Sequence, residues 1–188
     1  GDIWEFSYGG VDRWSDIRLR SQSAIDVSGN NSHGIQLVGR NIHVTDGSLA
    51  FVQALGNADA ADINVMASDR LLLSGTNSEV TVPSGIRHEL LNLTAVPGTI
   101  SQGDIRITAS EVVVENGAEI SIPNYSSQTS GSNHLKVEGL IILDGVSNLD
   151  PIRFSRIGIA AFSEGDGGDV NVTGKRLLIN DGASLSSI

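Results

Sequence analysis

The chain has 188 residues, a formal net charge of −10 and no cysteine. An acidic balance of this size argues against nucleic acid, whose phosphates require a basic footprint, and against an anionic membrane surface; it leaves room for cations such as calcium. No disulfide can hold the fold, so the core must suffice, and no run approaches the roughly 18 apolar residues of a membrane helix.

The length suits one domain, 1–188. Aromatic residues make up only 4% and glycine contributes 22 residues, so the core must be built from Ile, Val and Leu in many short strands with glycine turns. The chain does not begin with Met and shows no signal peptide, and it is read as a piece of a longer protein. Asn-x-Ser/Thr sites at Asn30, Asn92, Asn124 and Asn171 are what chance supplies in a chain this rich in Asn, Ser and Thr.

Residues 1–14 form an aromatic lead-in or a preceding coil. Trp4, Phe6 and Tyr8 alternate there and share one face of a strand, which is read as packing against a neighbouring coil. Residues 15–188 are repeats. First strands begin at Ile17, Ile35, Ile63, Ile105, Leu135 and Val170. Turn glycines follow at Gly29, Gly47, Gly75, Gly117, Gly145 and Gly182, twelve residues later in five copies and ten in the copy of Leu135. Each glycine follows Ser, Asp or Asn, residues that tolerate a turn, and glycine supplies positive φ without a steric cost.

Second strands lie between at 24–27, 41–44, 71–74, 111–115, 140–143 and 177–180. Third strands follow the turn at 48–52, 78–82, 118–122 and 183–188. Equivalent positions recur in one chain direction, so each strand is expected to pair in parallel with its counterpart one coil away, with Ile63 over Ile105 and Leu72 over Val113 facing inward. The fold class is all-β: a right-handed parallel β-helix, a three-sided solenoid of about six coils with corner insertions. Stacked at strand spacing, six coils rise roughly 29 Å. The insertions, at 53–61, 83–103, 123–133 and 152–168, gather near one corner, where repeat proteins often place a binding surface. A sandwich of hairpins would also show short strands, but not a recurring one-way offset.

The units GDIRITASEVVVENGAEISI (103–122), GGDVNVTGKRLLINDGASLSS (167–187), ADINVMASDRLLLSGTNSEVTVPSGI (61–86) and SDIRLRSQSAIDVSGN (15–30) follow, in full at 103–122 and with substitutions elsewhere, the pattern Gly-Asp-Ile-x-Ile/Val, an apolar run, then Asn/Asp-Gly-Ala/Ser. In this pattern the chain resembles the filamentous-haemagglutinin-like exoproteins of bacterial two-partner secretion, over nearly its whole length. The Asn-Pro-Asn-Gly motif of that family's secretion domain is absent, so the likeness is to the shaft that follows it. The resemblance implies a secreted or cell-surface rod, often an adhesin, with an outer-membrane transporter as partner.

Chemistry is sparse by comparison. Glu164-Gly-Asp-Gly-Gly-Asp169 lacks the spacing of a phosphate loop and holds only a fragment of the GGxGxD unit of calcium-binding β-rolls, so it reads as a connection between coils. His33, His43, His88 and His134 show no zinc spacing. No Gly-x-Ser-x-Gly elbow is present. Asp144, Asp150, Asp166, Asp169 and Asp181 fall mostly at turns, where aspartate is expected for backbone reasons. Neither catalytic nor metal residues nor a cofactor are assigned. Arg87-His88-Glu89, in the insertion 83–103, is the candidate for partner contact. The function read from these features is a non-enzymatic structural and adhesive module: a rod segment whose loops meet a cell-surface glycan or protein, or that self-associates. The rivals are a carbohydrate-active β-helix enzyme and a calcium-dependent assembly module.

Overall fold

The computed structural model describes residues 13–30, 33–55, 60–79, 82–91 and 103–188. Trp4, Phe6 and Tyr8 lie outside them. The strands, in chain order, are β1 (Ile17–Leu19), β2 (Ala24–Asp26), β3 (Ile35–Thr45), β4 (Leu49–Ala54), β5 (Ile63–Ser74), β6 (Gly85–Leu90) and β7 (Ile105–Glu115). They continue with β8 (Glu119–Asn124), β9 (Asn133–Val137), β10 (Leu140–Asp144), β11 (Arg156–Ala161), β12 (Val170–Thr173), β13 (Arg176–Asn180) and β14 (Ser184–Ser187). An eight-stranded sheet runs β1-β3-β5-β7-β10-β13, with β9 paired to β7 and β12 to β9. A six-stranded sheet runs β2-β4-β6-β8-β11-β14. Every pairing between these strands is parallel. The chain thus passes from one sheet to the other and back, one place further along each time, as a parallel β-helix or other solenoid-like fold does.

The two-residue period of each strand decides which side chains enter the core. In β3, Ile35 and Leu37 are buried; the phase then shifts, and Ile42 and Val44 are buried. The shift changes which parity of residues faces the core within one strand. The first and second strands of the sequence reading are therefore continuous in β3, β5 and β7 and separate only as β9 and β10 and as β12 and β13. Inward columns join like to like: Ile42, Leu71, Val112 and Ile141 in one, Ala50, Ile86, Ile120 and Ile157 in another. Each fully buried Ile or Leu contributes about 1.5–3 kcal/mol.

Ile63 stacks on Ile105 as the repeat predicts, and Leu72 is in register with Val113. That second pair lies on the side of the strands away from the main core cluster, although Val113 is itself buried, 2% exposed. Leu71 and Leu73 take the core positions, and so do Val112 and Val114.

The first copy is shifted relative to the sequence alignment. Ile17 pairs with Ile42 and Ala24–Asp26 with Leu49–Phe51, so β1 is a second strand and β2 a third. Its turn is Ser21-Gln22, both with positive φ, while Gly29 has no positive φ and bridges Ala54. In the fifth copy Asn133, not Leu135, is the partner of Ile105. Counted from Asn133, Gly145 also follows by twelve.

The constant offset conceals two kinds of corner. Asp46-Gly47, Asn116-Gly117 and Asp181-Gly182 have positive φ at both residues and lead within two residues into β4, β8 and β14. At Gly75 and Gly145 only the glycine has positive φ. Each stands opposite Asn116 in register, one place earlier than Gly117. An extra residue, in the β5 bulge and between β9 and β10, restores the spacing of twelve. After these glycines the chain makes an excursion closed by an antiparallel bridge, Thr76 to Pro83 and Val146 to Phe154. Of the third strand expected at 78–82, residues 78 and 79 form a turn and residues 80 and 81 lie outside the described residues; the strands that follow, β6 and β11, fall inside what the sequence reading took for insertions.

Candidate functional site

Arg87, His88 and Glu89 lie on β6 rather than in a loop. Their alternation splits them between two environments. Arg87 and Glu89 share the outer side and pair at 3.1 Å; Arg87 also lies 3.8 Å from Glu119. Arg156 closes the network on Glu119 at 2.7 Å, and the Ser121 hydroxyl donates to the same carboxylate at 2.9 Å. Glu119 is almost wholly covered and these donors satisfy it. His88 points inward beside Val52 and is 0% exposed, so its ring cannot touch a partner. Its Nε2 lies 3.2 Å from the Ala61 carbonyl, and its Nδ1 has no hydrogen-bond partner among the described residues. Burial pushes the His88 pKa down, against the pull of Asp62 and Asp104.

The Gly-Asp pair of the repeat acquires a physical reason at the corner that enters the larger sheet. The Asp104 N–H donates to Asp62 Oδ1 at 2.8 Å, the Ser132 N–H to Asp104 Oδ1 at 2.7 Å, and the Asp169 N–H to Ser132 Oγ at 3.0 Å. Each side chain receives the backbone of the next copy. The preceding residues stack backbone on backbone. A Cβ at Gly103 would overlap the Ala61 carbonyl, one at Gly131 the Gly103 carbonyl, and one at Gly168 the Gly131 carbonyl. The glycine-rich 164–169 segment is thus a close-packed corner: Gly165 likewise approaches the carbonyls of Ser126 and Gln128. Burial alone would raise the Asp62 carboxyl; the Asp104 N–H and the Arg106 guanidinium outweigh it and hold its pKa below the ordinary value.

Among the described residues no three His, Cys, Asp or Glu side chains stand close enough to hold a metal ion. His33 is exposed, His43 lies on β3, and His134 lies on β9 with Nε2 3.3 Å from Asp104. Asp181 sits in a tight turn, Asp144 ends β10, and Asp150 caps the Ile152 N–H within an excursion. Among the described residues no helix is long and apolar enough to cross a membrane.

The outer side of the larger sheet carries a long open depression. One column runs Val38, Met66, Thr108, Lys136 and Thr173. Beside it runs Gln36, Asn64, Arg106, His134 and Asn171. Three shallow hollows join end to end along these columns. Trp14 borders the first two and Thr108 the second and third. The sequence reading did not single out Trp14 or Lys136 for a site. A column of one residue per strand becomes visible only once the register is known.

Comparison with protein-family models, curated proteins and solved structures returned no match.

Proposed function

We propose that the chain is a segment of a right-handed, three-sided β-helical rod of about six coils, secreted or held at a cell surface, that is non-enzymatic and displays its outer walls and corner excursions for adhesion or assembly. The observation that carries this reading is the one-way, all-parallel strand order of both sheets. Such an order builds a stiff wall with a regular outer surface and needs no internal cavity. Parallel crossovers are right-handed in about 98% of cases, which supplies the handedness. The phase shift within β3 and its counterparts supplies the third side. The Gly-Asp-Ile repeat and its resemblance to the shafts of two-partner exoproteins support an extracellular setting. Attachment would reside on the exposed walls, with an outer-membrane transporter as the export partner.

Incubating the purified chain with a panel of plant, algal and animal polysaccharides tests the reading. Adsorption to cells or glycans without release of reducing ends or unsaturated sugars is the expected result. Sustained turnover of any polysaccharide would replace the rod by a β-helix enzyme.

A further inference from the structure

The depression along the larger sheet has a chemistry at odds with the rest of the molecule. The chain carries 22 acidic and 12 basic residues, yet the charged side chains lining the three joined hollows are Arg13, Arg18, Arg40, Arg106 and Lys136 against Asp16 and Glu138, with the His134 imidazole among them. Some of this charge is internally matched. Asp16 receives Arg18 at 3.1 Å and Arg40 at 3.0 Å, and Arg106 binds Asp62 and Asp104. Arg13 and Lys136 have no ion-pair partner among the described residues, and they stand toward opposite ends of the depression.

The middle hollow between them is shallow and carries one charged side chain, Glu138. Gly39, Ala67 and Ala109 bring the backbone close to the surface, flanked by Ser68, Ser110 and Thr108. Trp14 lines both the first hollow and the second where they meet. From Val38 to Thr173 the column crosses four strand spacings, about 19 Å. Planar amide, guanidinium and imidazole groups then recur once per strand, at Asn64, Arg106, His134 and Asn171. A ligand that fits is itself linear and repeats at a similar interval. It also has hydroxyls for the polar columns and spaced negative charge for the two cations without an ion-pair partner among the described residues.

We propose that this depression binds a carboxylate-bearing linear polysaccharide, a polyuronate lying along the axis of the solenoid. This deepens the reading of an adhesive wall and rests on it. The charge on the remainder of the molecule disfavours a densely phosphorylated polymer, while widely spaced carboxylates meet cations locally without facing the whole acidic surface.

The test is isothermal titration of the intact chain with polygalacturonate and alginate oligomers, with dextran as a neutral control and single-stranded DNA as the competing polyanion. Binding to the uronates, weakened by salt and absent with dextran, is the expected result. Lys136→Glu and Arg13→Glu should each weaken it about tenfold, while Arg153→Glu, in an excursion remote from the columns, leaves it unchanged. Failure to bind any uronate, equal binding of dextran, tighter binding of DNA, or indifference to both charge reversals overturns the proposal. Cleavage of the bound uronate would remove the non-enzymatic reading and leave the site standing. Cell adsorption that survives both reversals would remove the site and leave the rod.

Discussion

His88 is the residue whose environment departs furthest from its solvent chemistry. It occupies an inward place on β6, next to Val52, where its neighbours in the register are aliphatic. Its Nε2–H donates to the Ala61 carbonyl when the ring is neutral, and Gly103 packs against the same edge. Asp62 and Asp104 face it from the entering corner of the larger sheet, and Arg87 and Glu89 flank it on its own strand, directed outward. The carboxylates favour a charged ring, but burial wins and its folded pKa lies below the ordinary value. The unfolded chain therefore binds a proton that the folded chain refuses. His88 lends its full stability above about pH 6.5, and that stability is lost as pH falls from there toward the folded pKa. Thermal melts from pH 7.5 to 5 should show a midpoint that drops on acidification, and His88→Leu should flatten part of the drop. A drop of the same size in the variant would show that another group is responsible.

At the scale of the element, the corners rather than the strands carry the identity of this repeat. Strand positions accept Ile, Val or Leu, whereas the entering corner requires no Cβ at Gly103, Gly131 and Gly168, because each backbone lies against the one before. Gly131→Ala should cost about 1–3 kcal/mol, since the backbones must separate to admit a methyl group. Gly29→Ala is its control: Gly29 has open space around it and no positive φ, so alanine there should be neutral or stabilise by about 0.4–1 kcal/mol through the unfolded chain. Urea unfolding of both variants checks the contrast, and equal midpoints would remove the stacked-corner account. The same glycines explain what was legible in advance. Gly-Asp before an apolar residue marked the strand starts of β7 and β12 because packing and hydrogen bonding both demand that pair there. Gly29 misled because a glycine in open space looks, as a letter, like one in a turn. β6 and β11 escaped notice because excursions of variable length precede them and because β6, GIRHEL, directs charges outward and a histidine inward. The polar columns of the outer wall were hidden for a different reason: they join residues about 30–40 positions apart.

At the scale of the whole molecule, each strand pairs only with strands of the adjacent copies, so the core that both sheets share is assembled one interface at a time along the axis. Ile120 shows the consequence. It lies between Ile86 and Ile157 and is completely buried. Leu185, one column member further on, has Ile157 as its single register partner among the described residues and is only partly covered. Ile120→Ala removes contacts on both sides and leaves a cavity that β6 and β11 cannot collapse without breaking register, so it should cost about 2–5 kcal/mol. Leu185→Ala removes one layer of contact at a surface open to solvent, where water fills the space, and should cost well under half as much. Hydrogen exchange should follow the same gradient, with amides of β13 and β14 exchanging before those of β7 and β8, because the outer interface opens without disturbing the inner ones. A globular core would respond to both truncations alike. Equal losses of stability, or exchange that is uniform from β7 to β14, would mean that the windings melt as one unit, and the picture of a rod assembled from separable interfaces would have to be abandoned.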